Sequence, residues 1–211
     1  TEFTTVTKVT PLKLPLQEWP QDTNFPRDFD VSTPPFRLIC RVSVLVLDAP
    51  PEDISPVLKQ YGFGDTAASA IGGGAAQVCS DFLVGPGGSS RILLFNGELN
   101  AYRLGRMVRR ICEIETYRSM SLLGLPEARR LAPALKGFDE TLTDLTNRHL
   151  NTPVEEHEKL LDEISTLSAH VISATAETRN RFGATAAYAT IVEERIAELR
   201  ESHVPGFQRF G

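Results

Sequence analysis

A chain of 211 residues, 41% of them hydrophobic, has enough apolar content for a packed core and fits one large domain or a small domain with a helical extension. No run approaches the roughly 18 consecutive apolar residues of a membrane span, and no signal peptide is present, so the chain is expected to be soluble as it stands. The net charge of −5 is unevenly spread: residues 1–97 carry 7 basic and 10 acidic side chains, residues 98–136 carry 8 and 4, and residues 137–211 carry 7 and 13. The basic middle reads most simply as solvated helix faces with internal ion pairs, and more sharply as a surface for an anion, nucleic acid or acidic lipid headgroups.

Three cysteines, Cys40, Cys79 and Cys112, have no CxxC spacing and fall in segments patterned as strand, strand and helix, which points to buried thiols in a reducing compartment rather than a disulfide scaffold. The chain opens on Thr1 rather than Met, so a piece of a longer product is expected.

In chain order, Thr1–Thr10 is rich in Thr and Val and predicts a strand, followed by a Pro-punctuated loop in which a short helix near Leu16–Trp19 would anchor Trp19 on the core. Phe36–Asp48 predicts a strand whose continuous apolar end, Val44–Leu47, implies burial on both faces. Ile54–Tyr61 predicts a short helix, capped by Asp53 and stopped by Gly62. Ala67–Val84 and Arg91–Phe95 read as two strands of a hairpin turning at Gly85–Gly88.

From Asn100 the apolar period changes from two to 3.6. Leu104, Val108, Ile111 and Ile114 mark one face of a helix that Gly124 and Pro126 break. A second helix carries Leu131, Leu135, Phe138, Leu142, Leu145 and His149, and ends near Asn151–Pro153. The third, from near Pro153 to Ser202, repeats His157, Leu161, Ile164, Ser168, Val171, Thr175, Thr178, Phe182, Thr185, Ala189, Val192, Ile196, Leu199 and His203 at alternating steps of four and three. That spacing is a coiled-coil seam, diluted by Ser and Thr, and the last two helices are expected to pair as an antiparallel hairpin. A seam ending at Val192, Ile196 and Leu199 would outrun the shorter second helix and call for a second copy of the chain.

Candidate chemistry is sparse. Gly72, Gly73 and Gly74 could cradle an anion with their amides, but no phosphate-loop signature accompanies them, and a bulge or close backbone approach in a sheet is the simpler reading. The segment Arg106–Arg118 is the densest in charge; Arg106 and Arg110 are candidates for an anionic ligand, while Glu115, beside the apolar stripe, calls for Arg118 as a structural ion-pair partner. Arg109 and Glu113 are spaced to pair, and Arg179, Arg181 and Tyr188 flank Gly183. His149 and His157 could meet across the hairpin turn near Glu155 or Glu156, yet no metal-ligand spacing or nucleophile elbow is present, so no metal, cofactor or catalytic constellation is expected.

TEFTT at Thr1–Thr5, GGAAQVCSDF at Gly73–Phe82, LGRMVRRICEIETYRSMSLLGLP at Leu104–Pro126, TRNRFGATAAY at Thr178–Tyr188 and ELRESHVPGFQRFG at Glu198–Gly211 together resemble a bacterial membrane-anchored family, domain of unknown function 3422, over nearly the whole chain. The resemblance implies the soluble portion of a membrane-anchored protein at the cytoplasmic face of the bacterial inner membrane, with membrane spans in segments absent from this chain and no catalytic residues to carry over. The family layout also looks like that of CorA-type magnesium channels, an analogy of architecture alone.

The sequence thus predicts an α+β protein: a small mixed or antiparallel sheet in residues 1–97, then a helical domain in residues 98–211 of three helices, the last two a long coiled-coil hairpin. The expected function is non-enzymatic oligomerisation or scaffolding, with another copy of the chain as partner and no nucleic acid. The alternatives are a regulatory domain of a CorA-like channel or transporter, and a small-ligand sensor.

Overall fold

In the computed structural model, residues 3–13, 16–20, 38–85, 88–149, 153 and 156–211 are described. They form a mixed five-stranded sheet and a set of helices, an α+β architecture. The elements are β1 (Val42–Leu47), α1 (Ser55–Gln60), β2 (Ala67–Ile71), β3 (Ala76–Val84), β4 (Ser90–Asn96), α2 (Ala101–Leu122), α3 (Leu125–His149), α4 (His157–Leu199) and β5 (Ser202–His203). The sheet order is β1-β4-β3-β2-β5, with β1 and β4 parallel and the other pairs antiparallel.

Several expectations for the first hundred residues need correction. No strand forms in the described part of Thr1–Thr10, where Val9 is 87% exposed. Leu16–Trp19 is not helical either; it is held by α1, where the Gln60 side-chain amide and the Tyr61 hydroxyl donate to the Leu16 carbonyl at 2.9 and 3.3 Å. Trp19 is the core anchor, edge-on to Tyr61 and Phe63 with its Nε1 donating to Ser43 Oγ. Strand β1 begins at Val42, and the expected Phe36 and Arg37 lie outside the described residues. It is an edge strand paired only with β4, so Val46 is 38% exposed and burial is not two-sided.

Ala67–Val84 is two strands, not one. Gly72, Gly73 and Gly74 all have positive φ (65°, 76° and 89°), and the chain turns there into a hairpin whose closing pair is Ile71 and Ala76. At Gly72 a side chain would meet Met107 Cε at 3.3 Å and Leu99 Cδ2 at 3.4 Å, so the position asks for glycine on backbone and packing grounds together. The second hairpin turn falls between β3 and β4, as the Gly85–Gly88 pattern predicts, with Gly88 N–H donating to Gly85 O.

Alternation along the strands divides the sheet into two faces. Leu45, Ala68, Cys79, Leu93 and Phe95 meet Trp19, Ile54, Leu58, Tyr61 and Phe63 in one core. Ser69, Val78, Ser80, Ile92 and Leu94 face the other way, and all five are fully buried. A bulge interrupts β3 at Phe82, the backbone there reaching φ 53°, and the displaced ring packs 5.1 Å from Phe210.

The chain divides into two compact units, but not between residues 97 and 98: one unit is Thr1–Cys112 with Ile196–Gly211, the other Glu113–Arg195. The carboxy-terminal tail joins the first unit because it returns to the sheet. Strand β5 pairs with β2, Ala67 bridges to Gln208, and the Phe210 N–H donates to Ser69 Oγ at 2.9 Å.

In the helical unit, α4 runs antiparallel to two helices in succession. Its first half meets α3: Arg148 with Glu163, Phe138 stacked on His170, Arg130 with Glu177. Its second half meets the end of α2: Ser121 with Thr185, Tyr117 stacked on Tyr188, Glu113 with Arg195. Val192 therefore does not outrun its cover, because α2 supplies what the shorter α3 cannot. Glu113 accepts from Arg195 Nε at 2.8 Å.

The line of α4 turned toward α3 is Leu160, Glu163, Leu167, Ala174 and Thr178, one residue before the predicted seam in this half. The predicted positions Leu161, Ile164, Ser168, Val171 and Thr175 are exposed. From Thr178 onward the predicted line and the inner line converge. The Arg148 guanidinium, bonded to Glu163 at 3.1 Å, holds the Glu163 carboxyl below its ordinary range. This contribution is present above the carboxyl's unfolded pKa and fades as pH falls through the lower folded one.

Candidate functional site

The glycine turn and the arginine-rich helix come together in the sheet unit, but as structure. Arg103, one turn into α2, donates from Nη2 to the Gly72 carbonyl at 3.4 Å, and the Gly72 N–H donates to Leu199 O at 2.8 Å. Two of the five candidate donors to an anion are thereby redirected: the Gly72 amide is engaged by backbone, and Arg110 is paired with Glu198 at 2.8 Å. Arg106 remains exposed on the helix surface. Start of α2 is fixed by Asn100, whose side-chain oxygen accepts from the Arg103 N–H at 3.0 Å.

A second charged arrangement escaped the sequence reading. Arg91, at the start of β4, lies over the rings of Phe63 (4.8 Å) and Trp19 (5.6 Å), donates to the carbonyls of Tyr61 and Gly62, and reaches the buried Asp81 at 3.5 Å. It ties the α1 turn to β3 and β4, a packing task for a guanidinium whose flat faces stack on aromatics while its rim donates. The one available signal was a lone charge opening the apolar run RILLF.

Beside them on the same sheet face, burial pushes the Cys79 thiol up to about 12. Cys79 is expected to resist alkylation in the native protein at pH 8 by at least about a hundredfold relative to the unfolded chain, because the thiolate is the reacting species. Timed iodoacetamide labelling with peptide mass analysis reads this directly; fast native labelling of Cys79 contradicts its burial. None of the three cysteines is in a disulfide.

In the helical unit Glu115 is completely buried, and Arg118, one turn on, clamps it with Nη2 to Oε2 at 2.8 Å and Nε to Oε1 at 3.2 Å. The two-pronged geometry suits a guanidinium and a carboxylate and leaves neither charge facing apolar neighbours alone. The hairpin brings the His149 and His157 rings to 6.2 Å, while Glu155 lies outside the described residues. Among the described residues no three His, Cys, Asp or Glu side chains gather as a metal site would require.

The feature with room for a partner lies between α3 and α4. Leu131, Leu135, Phe138 and Leu142 on one side and Leu167, Val171, Ala174 and Thr178 on the other line a groove of about 280 Å³. Leu135, Leu142 and Val171 stand at its rim, each exposed. The groove is apolar on both walls and open to water along the helix pair.

The family model described as protein of unknown function (DUF3422) matches residues 1–211, the whole chain. The chain belongs to the DUF3422 family. No curated protein and no solved structure matches it. Among the described residues of this DUF3422 chain, no helix is long and apolar enough to cross a membrane.

Proposed function

We propose that this DUF3422 chain is a non-enzymatic assembly module, a scaffold that oligomerises through its long helices on the cytoplasmic side of a bacterial inner membrane. The observation that carries the reading is the groove between α3 and α4, with Leu135, Leu142 and Val171 held at its rim in water. An amphipathic helix normally turns its apolar stripe to a core, and the α3–α4 pair has more stripe than one partner each can cover. A supercoiled pairing of α3 with α4, extended by further helices of a second chain, satisfies both helices. Membrane attachment in this reading is made by segments other than the described helices. The arginine-rich helix gives less support to a ligand sensor, because Arg103 and Arg110 are engaged within the chain.

Sedimentation velocity of the chain over a concentration series tests it. A concentration-dependent dimer or higher oligomer with a dissociation constant no weaker than about 10 µM is expected, corresponding to roughly 7 kcal/mol of association free energy. A monomer at every concentration removes the reading.

A further inference from the structure

Residues 164–176 of α4, ISTLSAHVISATA, contain no Asp, Glu, Lys or Arg, although most of this stretch is exposed. Solvent-facing helix ordinarily carries charge on its outer face, and two to three turns without any are characteristic of helix that is covered. Among the described residues only one side of the stretch is covered, by α3 through Leu167 and Ala174.

On the uncovered side, Leu161, Ser165, Ser168, Ile172, Thr175 and Arg179 follow one another at steps of four, three, four, three and four, and all six are exposed. Leu161 is 63% and Ile172 68% exposed, more than isolated surface leucines need to explain when they share a line. The spacing of the line is symmetric about the level of His170, so that in an antiparallel pair Leu161 opposes Arg179, Ser165 opposes Thr175, and Ser168 opposes Ile172. Such a stripe is self-complementary when two copies of the helix run antiparallel, the requirement of an isologous two-fold contact.

Charge supports the same partner. Asp162 follows Leu161, and Arg179 closes the far end of the line; both are exposed, and neither has an ion-pair partner among the described residues. In the antiparallel arrangement the aliphatic stem of Arg179 lies over Leu161 of the other copy, and its guanidinium reaches the neighbouring Asp162. The two-fold makes this pair twice, once at each end of the uncharged belt. Glu163 and Glu177, which flank the uncharged belt directly, are paired with Arg148 and Arg130. Serine and alanine at Ser165, Ser168, Ala169 and Ala176 let the two helices approach closely.

We infer that the occupant of this face is a second copy of the chain, docked α4 to α4 antiparallel with the two-fold axis at the level of His170. The inference rests on the self-association reading above and places a contact on the face of α4 beside the groove. Sedimentation velocity of the wild-type chain and four variants tests it, with circular dichroism melting as the check on folding. Ile172→Lys, a change at an exposed position, is expected to weaken the dimer at least about a hundredfold with an unchanged melting curve. Asp162→Arg and Arg179→Asp are each expected to weaken it about tenfold by setting like charges face to face, and the double variant Asp162→Arg/Arg179→Asp to return it to within about threefold of wild type. A wild-type chain that stays monomeric overturns both this inference and the self-association reading. A wild-type oligomer that Ile172→Lys leaves intact overturns this surface alone. Recovery failing in the charge-swapped double variant overturns the antiparallel register, since only that register opposes the two residues.

Discussion

Arg118→Ala is expected to lower the unfolding free energy by about 3–5 kcal/mol, the cost of leaving a buried carboxylate without its counter-charge. Glu115 is the residue stranded. Its side chain is 1% exposed, whereas the Arg118 side chain keeps about a third of its surface in water, so the penalty falls on the acid and not on the base. Two geometric points set the size. Both carboxylate oxygens are held by the same guanidinium, and both hydrogen bonds disappear together in the alanine variant. Glu115→Gln keeps the shape and one acceptor oxygen and is expected to cost about 1–2 kcal/mol. Replacing both residues together, as in Glu115→Leu/Arg118→Ala, removes the stranded charge and should recover much of the loss. Thermal and urea unfolding read all three. Near-wild-type stability of Arg118→Ala would remove the structural account of this pair.

Gly124→Ala is expected to cost about 1–3 kcal/mol through overpacking, although alanine is otherwise a favourable neighbour of helices. The glycine sits between α2 and α3, where a β-carbon would collide with Thr185 Oγ1 on α4. Thr185 is not free to rotate away without loss, because that hydroxyl donates to the Ser121 carbonyl at 3.4 Å while the Gly124 N–H donates to the same oxygen at 3.1 Å. The collision is local, so it can be relieved locally. Thr185→Ala should cost little alone, and the double variant Gly124→Ala/Thr185→Ala should be more stable than Gly124→Ala. A double-mutant cycle with no coupling between the two positions would show that the helix junction tolerates a side chain and that Gly124 serves only to end α2.

The elements most legible in the sequence were those whose pattern depends on near neighbours. The helices from Asn100 onward, the α1 stop at Gly62, and the turn between β3 and β4 follow from periodicity and turn residues a few positions apart. What the sequence did not disclose depends on partners far along the chain. Ser202–His203 carries no strand signal of its own and becomes one because β2 offers an edge. Thr1–Thr10 carries a clear strand signal and yet stays irregular over its described part, local propensity without pairing being too weak to make a strand. Strand β1 reads as doubly buried by composition, and its place at the edge of the sheet is a matter of topology.

The shift in α4 is of a different kind. Leu161, Ile164, Ser168, Val171 and Thr175 are on the whole more apolar than the neighbouring line Leu160, Glu163, Leu167, His170 and Ala174, so periodicity favours the first. The chain uses the second, since Glu163 and His170 find specific partners in Arg148 and Phe138. The Glu115–Arg118 pair was readable from a three-residue spacing beside an apolar stripe. The Arg91 arrangement was not, because its aromatic partners Trp19 and Phe63 come from separate segments.

The return of the tail to the sheet has a consequence for how the molecule is made. Strand β2 receives its second neighbour only from residues 202 and 203, and its bridge and hydrogen bond at Ala67 and Ser69 only from Gln208 and Phe210. During synthesis the first hundred residues emerge with this strand still unpaired on one side, and some hundred helical residues must follow before its partner leaves the ribosome. Contacts of such long separation form late. Until they do, the nascent chain presents an open, mostly alanine and isoleucine edge to whatever lies nearby, the exposure that folding helpers exist to shield.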